Sequence, residues 1–170
     1  NFKLLLRSHY DGEGGAGARG SVSHDTSGSS EHAAGTLSKD AHQHHSKLVE
    51  QLMAIDSLLR ERGTRYLLGE SMTEYDCELM PRLHHIRIAG AVLCQFEMPA
   101  TLTHLWNYML TAYRTAAFVE SCPADQDIIH HYKEQLNISY RQRDALQSPT
   151  KTHTIPEPVL DQIKHLQLDH

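Results

Sequence analysis

The feature that most constrains this chain is a helix-start signal at Thr73, followed at once by a long apolar segment. In a capping box, the residue directly before the helix accepts a hydrogen bond through its side chain from the backbone N–H three residues later. The acidic side chain of that later residue accepts one from the backbone N–H of the first. Thr73 and Asp76 stand at these two positions, and we predict that they form this structural N-capping box. Met72 and Cys77 stand at the two positions of a hydrophobic staple across the same helix start. The signal therefore predicts a helix that begins directly after Thr73.

The helix that follows is apolar on more than one side, which is typical of a helix buried by its neighbours. Pro81 lies inside it, where it removes one backbone hydrogen bond, and we predict a helix kink at this residue. The sequence thus predicts a buried central helix. Its apolar residues are Leu79, Met80, Leu83, Ile86, Ile88 and Val92.

Apolar residues recur with helical spacing on both sides of this segment, and no segment shows the alternation of a strand. Residues 40–62 carry one apolar stripe, and Gly63 is a stop signal for that helix. Further helical patterns cover residues 102–113 and the segment that begins near Asp125. The prediction is an all-α fold of five or six helices.

Composition divides the chain into four predicted parts. Residues 1–10 read as the end of a severed helix, and residues 11–40 as a flexible loop rich in Gly, Ser and His. Residues 41–142 form the predicted helical bundle. Residues 143–170 are polar and contain three prolines, which predicts a mobile C-terminal tail, although a short amphipathic piece lies within it.

The charge and the cysteines exclude several classes of protein. A net charge of -5, with 14 histidines counted as neutral, argues against a nucleic-acid partner, which requires a basic face. The three cysteines show neither a C-x-x-C pair nor a regular spacing, so a reducing, cytoplasmic compartment fits best. The sequence has no apolar run long enough for an ordinary transmembrane helix.

The segment 76–86, D-C-E-L-M-P-R-L-H-H-I, is similar to the D-C-x-L-x-P-x-L-H-x-I pattern of the chloride intracellular channel family. The segments 96–99 and 118–128 resemble segments of the same family. The tail from residue 147 to 160 is most similar to the nematode, excretory-canal type. The resemblance implies the C-terminal helical domain of the glutathione-transferase fold, in a fragment that lacks the thioredoxin-like N-terminal domain.

The resemblance also implies a function for the parent protein. It would be soluble and cytoplasmic, associate reversibly with membranes through the missing N-terminal half, and support chloride or other anion transport. Glutathione is an expected cofactor of the full-length protein and not of this fragment, because the glutathione-facing cysteine of the family lies in the missing half. Two alternatives stay open: a glutathione-dependent oxidoreductase or transferase, and a non-catalytic scaffold with cytoskeletal partners.

We expect no catalytic, cofactor-binding or metal-ligating residue in this segment. Asp76 could be taken for a catalytic acid, but its role in the capping box already explains an acid at this position, so we interpret it as structural. We interpret Cys77 as a small buried hydrophobic residue on the inward face of the helix. Cys122 precedes Pro123, so we expect it to be partly exposed and the better redox candidate. The cluster at 42–45 (H-x-H-H) is interpreted as a solvated helix start rather than a transition-metal site. Among the adjacent pairs at 84–85 and 130–131, one histidine of each is expected to be a hydrogen-bonded packing residue.

Overall fold

The structure, a computed structural model, describes residues 2–14, 39–136 and 150–168. Within these ranges the chain forms helices and no strand, with one isolated bridge between Tyr66 and Gly69. The all-α prediction is confirmed. The described helices number seven, one or two more than expected: α1 (Phe2–Gly14), α2 (Lys39–Arg62), α3 (Glu74–Cys94), α4 (Thr103–Tyr113), α5 (Ala116–Ser121), α6 (Asp125–Gln135) and α7 (Glu157–Leu168).

Helix α3 lies at the centre of the bundle and packs against α1, α4 and α6. Leu83, Ala89 and Leu93 are fully or almost fully buried, so the prediction of a buried central helix is confirmed. The helix continues through Pro81, which is half-buried. The predicted kink at Pro81 stays a prediction.

Helix α2 places its apolar stripe against α1 and α4. Leu48, Leu52 and Leu59 are buried, while the opposite face is exposed. The helix ends at Arg62, and Gly63 follows with a φ of 62°, a left-handed conformation that suits glycine. The predicted helix and its stop signal are confirmed.

The start of α4 is capped from a distant part of the chain. Its local cap residue is Leu102, whose side chain cannot accept a hydrogen bond. Instead, Asp56 of α2 accepts a hydrogen bond from the N–H of Leu105, with Oδ1 and N 2.8 Å apart. This bond satisfies a free N–H group of the first turn and ties α4 to α2.

The predicted boundaries of the first two parts need correction. Helix α1 extends to Gly14, beyond the predicted end at residue 10, and α2 already begins at Lys39. Once a helix has formed, each added residue gains a backbone hydrogen bond, so its end need not coincide with the change in composition. The rest of the predicted loop, residues 15–38, and residues 137–149 lie outside the described residues.

The prediction of a mobile tail is wrong for residues 150–168. Ile155, Val159 and Ile163 are buried, and α7 packs against α4. Val159 and Ile163 lie four residues apart on one face of α7, and Ile155 is buried in the segment directly before that helix. Burial of that face stabilises the segment despite its polar composition and its prolines.

Candidate functional site

The start of α3 holds a buried carboxylate that is fully hydrogen-bonded. Asp76 has no exposed surface. Its Oδ2 accepts hydrogen bonds from the N–H of Thr73 at 2.8 Å and from the Thr73 hydroxyl at 2.9 Å. Its Oδ1 accepts from the N–H of Leu67 at 2.9 Å and from the Tyr108 hydroxyl at 2.8 Å. The carboxylate therefore joins the loop before α3, the first turn of α3 and the middle of α4.

The electrostatics of Asp76 suit a structural role. Burial by itself raises the pKa of this carboxyl, but the N–H groups of Leu67 and Thr73 and the hydroxyls of Tyr108 and Thr73 lower it overall. A carboxylate offers about four lone-pair positions, and four donors already occupy this one. Asp76 thus has no accepting position left for a substrate proton.

The two staple residues beside this box differ in their surroundings. Met72 is half-buried, whereas Cys77 is exposed. The expectation that Cys77 is a buried residue on the inward face is therefore wrong. The position after the buried Asp76 is turned by about 100° around the helix, which brings it to solvent. The staple contact between Met72 and Cys77 stays a prediction.

A second polar cluster surrounds His84, two turns further along α3. His84 is fully buried, and its Nδ1 lies 3.0 Å from the hydroxyl oxygen of Tyr113. That oxygen also accepts a hydrogen bond from Nη1 of Arg87 at 3.0 Å. The His84 ring packs edge-on against Tyr113 and Phe118, and its centroid lies 5.4 Å from that of His153. The cluster joins α3, α4 and α5 to the segment that precedes α7.

Both histidines of this cluster are held neutral. Burial, followed by the neighbouring His153, lowers the pKa of His84 to about 4, although the charge of Asp125 opposes the shift. Burial also lowers the pKa of His153, and the charge of Lys151 adds to this effect. Neutral imidazole is the form of histidine that binds a metal ion.

Cys122 follows the last residue of α5 and belongs to the same cluster. It is buried, with 7% of its surface exposed. Burial raises the pKa of its thiol, while Lys151 opposes this shift and Asp125 adds to it. Redox-active cysteines are accessible and have a lowered pKa. The expectation that Cys122 is partly exposed and a redox candidate is therefore wrong.

The polar atoms of this cluster converge. One ring nitrogen of His84, one of His153 and the sulfur of Cys122 lie within 4.8 Å of one another. The Nε2 atoms of both histidines are buried and have no hydrogen-bond partner. Among the residues that the structure describes, these three form the only group of three converging metal-ligand side chains.

The histidines near the start of α2 do not form such a group. His42 is exposed, as expected of a solvated helix start, but His44 and His45 are half-buried. The ring of His45 lies 5.3 Å from that of Phe96. The interpretation of this cluster as a solvated helix start is thus wrong for His44 and His45, because this part of α2 packs on the segment that follows α3.

Comparison with known proteins identifies the family. The chain is 57% identical over 164 residues to "Chloride intracellular channel exc-4" of Caenorhabditis elegans, an alignment that covers 96% of the chain and 52% of that protein. It is 50% identical over 109 residues to "Chloride intracellular channel Clic" of Drosophila melanogaster, which covers 64% of the chain and 42% of that protein. This chain belongs to the chloride intracellular channel family.

The fold supports the same family. A crystal structure of the chloride intracellular channel homologue EXC-4 from Caenorhabditis elegans matches with a TM-score of 0.81 and 56% identity, over 98% of this chain and 56% of that one. The predicted fold, the C-terminal helical domain of the glutathione-transferase type, is confirmed. No protein-family model matches the chain.

The chain spans about half the length of the curated relatives it matches. In addition, none of the helices in the described ranges is both long and apolar enough to cross a lipid bilayer.

Sequence reasoning found the residues at the start of α3 but missed the cluster around His84. The prediction that one histidine of each adjacent pair is a hydrogen-bonded packing residue fits His84, which is buried, but His130 and His131 are both exposed. No signal in the sequence linked His84 to Cys122 or His153. Their separations in the chain resemble no metal-binding motif.

Proposed function

We propose that this chain is the helical module of a chloride intracellular channel protein that supports chloride or other anion transport. The observation that carries the proposal is the 57% identity to exc-4, which extends over 96% of the chain. The agreement of the fold, with a TM-score of 0.81, supports it.

We further propose a division of labour within the whole protein. The relatives are about twice as long as this chain. The segment that contacts the membrane, and any cysteine that faces bound glutathione, would lie in the half that this chain does not match. The module would remain in the cytoplasm as a regulatory and docking platform while the other half associates reversibly with the bilayer.

The chemistry of the described residues supports a non-catalytic module. The four donors around Asp76 occupy its carboxylate. Burial raises the pKa of Cys94 to about 11 and also raises that of Cys122, so neither thiol is a ready nucleophile. Neither of these two buried thiols would therefore carry out glutathione-dependent chemistry.

A chimera tests the proposal. The segment of exc-4 that matches this chain would be replaced by this chain, and chloride efflux would be measured from chloride-loaded liposomes. Unmodified exc-4 is the matched control. We expect the chimera to sustain efflux at a rate comparable with the control, because the replaced module is more than half identical.

The same chimera separates the alternatives. A folded chimera that gives no efflux, beside an active control, would contradict the transport proposal. Glutathione-dependent reduction of a disulfide substrate by that chimera, and not by unmodified exc-4, would then favour an oxidoreductase. If the chimera shows neither chloride efflux nor glutathione-dependent reduction, the remaining alternative is a non-catalytic scaffold protein.

A further inference from the structure

We propose that His84, Cys122 and His153 form a binding site for a thiophilic divalent transition-metal ion such as Zn²⁺. The site would join three parts of the chain. His84 comes from α3, Cys122 from the end of α5, and His153 from the segment that leads into α7. Imidazole nitrogen and thiolate sulfur are the ligands that Zn²⁺ prefers in proteins.

The ligand atoms are already near the distances that such an ion requires. With Zn–N bonds of about 2.0 Å and a Zn–S bond of about 2.3 Å, tetrahedral geometry separates ligand atoms by roughly 3.3–3.5 Å. The three atoms lie within 4.8 Å of one another. Binding would thus draw any two of them together by no more than about 1.5 Å. Three protein ligands leave the fourth position to water.

Two buried nitrogens without partners provide the second observation. The Nε2 atoms of His84 and His153 are both shielded from solvent and lack a hydrogen bond. A buried polar atom without a partner costs about 1–3 kcal/mol. A metal ion between them would give both atoms a partner at once.

The surroundings of His84 orient it for this role. Histidines that bind a metal through one nitrogen almost always donate a hydrogen bond from the other. The Nδ1 of His84 faces the hydroxyl oxygen of Tyr113 at 3.0 Å. With Nδ1 as the donor, the lone pair of His84 resides on Nε2, the atom without a partner.

The segment that carries His153 is also fixed in place. The carboxylate of Asp125, at the start of α6, accepts hydrogen bonds from the N–H of Thr152 at 3.1 Å and from its hydroxyl at 2.5 Å. The N–H of Asp125 in turn donates to the carbonyl of Thr150 at 2.8 Å. These bonds hold the residue directly before His153, so the third ligand is positioned before a metal arrives.

Charges of both signs face the site. The carboxylate of Asp125 favours a cation, and the side chains of Arg87 and Lys151 oppose it. The thiol of Cys122 loses its proton to solvent when the metal–sulfur bond forms, and the resulting thiolate adds the negative charge that offsets one of the cations. Metal binding therefore releases one proton.

A cobalt titration of the reduced 170-residue chain tests the site. Co²⁺ replaces Zn²⁺ in tetrahedral sites, and a thiolate ligand gives it an intense sulfur-to-cobalt charge-transfer band. We expect one Co²⁺ per chain with this band, and displacement of the cobalt by Zn²⁺. Cys122→Ser should abolish the band, and His153→Gln should weaken Co²⁺ binding by more than about tenfold. Cys77→Ser and His130→Gln alter an exposed thiol and an exposed histidine, and both should leave the titration unchanged.

His153→Gln keeps the test decisive if the buried Cys122→Ser fails to fold, because His153 is only half-buried and lies outside the helices. The fold of each variant would be checked by far-ultraviolet circular dichroism. The proposal is overturned if the wild-type chain shows no charge-transfer band, or if the band persists at full strength in a folded His153→Gln. Because the site uses only residues of this chain, this result is independent of anion transport.

Discussion

Two buried polar side chains on α3 differ in how completely they are hydrogen-bonded. Asp76 and His84 both have no exposed surface. Asp76 accepts four hydrogen bonds, whereas His84 has one partner at Nδ1 and none at Nε2. A fully satisfied buried group stabilises a fold, while a buried group with unused capacity is available for a ligand. Asp76 therefore stabilises the start of α3, and His84, in the middle of the helix, is free to bind the proposed metal ion through Nε2.

The largest expected effect comes from Asp76→Ala. The change removes four hydrogen bonds and leaves the Leu67 N–H and the Tyr108 hydroxyl without their acceptor. We expect a loss of about 3–5 kcal/mol in the free energy of unfolding, measured by urea denaturation. Glu74→Ala, an exposed acid in the same helical turn, should cost no more than about 1 kcal/mol. Equal losses in the two variants would show that the helix dipole, and not the hydrogen-bond network, makes Asp76 stabilising.

The next largest effect is expected from Ile163→Ala, which tests whether residues 150–168 unfold separately from the start of α3. Ile163 is buried on the face of α7 that meets the bundle. Its truncation to Ala removes packed methyl groups and should cost about 3 kcal/mol. Hydrogen exchange should then accelerate at residues 150–163 while the first turn of α3 stays protected. Gln162→Ala, on the exposed side of α7, is the control. Uniform acceleration over both regions would mean that the tail and the start of α3 unfold as one unit.

The start of α3 was predictable because its interactions are local. Thr73 and Asp76 are three residues apart, and the capping box is a relation between residue types at a fixed spacing. The buried apolar stripe of α2 was predictable for the same reason. Exposure was harder to predict, as Cys77 and Cys122 show. It depends on how a helix is rotated against its neighbours, which the local sequence does not determine.

The missed features depend on contacts between distant residues. Asp56 caps α4 from 49 positions away, and a chain with Leu102 at the cap position gives no local sign of it. His153 meets His84 across 69 positions, inside a segment whose polar composition predicted mobility. The three apolar residues that anchor that segment are too few to change its average composition. Two of them, Val159 and Ile163, lie four residues apart on one face of α7, and this placement, not their number, lets the segment pack.

The two regions should also respond to pH in different windows. Burial holds the pKa of His84 at about 4 in the folded chain, against about 6.5 when unfolded. The unfolded chain therefore binds more protons as the pH falls below 6.5, and the folded state loses stability down to pH 4. The loss should reach about 2 kcal/mol by pH 5, measured by urea denaturation in EDTA.

The contrast with Asp76 supplies the control. The pKa of Asp76 is lowered, so its contribution is present above its ordinary value of 3.8 and is lost only as the pH falls below that value. His84→Gln should therefore make the stability profile between pH 7 and 5 less steep, with part of the slope kept by the lowered pKa of His153, and Asp76→Asn should leave it unchanged. A wild-type profile that is already flat in this range would contradict the burial of a neutral His84.

The smallest expected effect concerns a single hydrogen bond. Tyr108→Phe removes the hydroxyl that donates to Oδ1 of Asp76 at 2.8 Å and leaves three donors in place. We expect a loss of about 1–2 kcal/mol in the free energy of unfolding, because the lost bond joins a hydroxyl to a charged acceptor. A double-mutant cycle with Asp76→Ala separates this bond from the packing of the ring. If the bond is the cause, Tyr108→Phe should cost almost nothing in the Asp76→Ala background, where the hydroxyl has no acceptor left. If Tyr108→Phe lowers the free energy of unfolding by the same amount in the Asp76→Ala background, the loss comes from the packing of α4 and not from the hydrogen bond. The backbone N–H groups and the Thr73 hydroxyl would then be sufficient to satisfy Asp76.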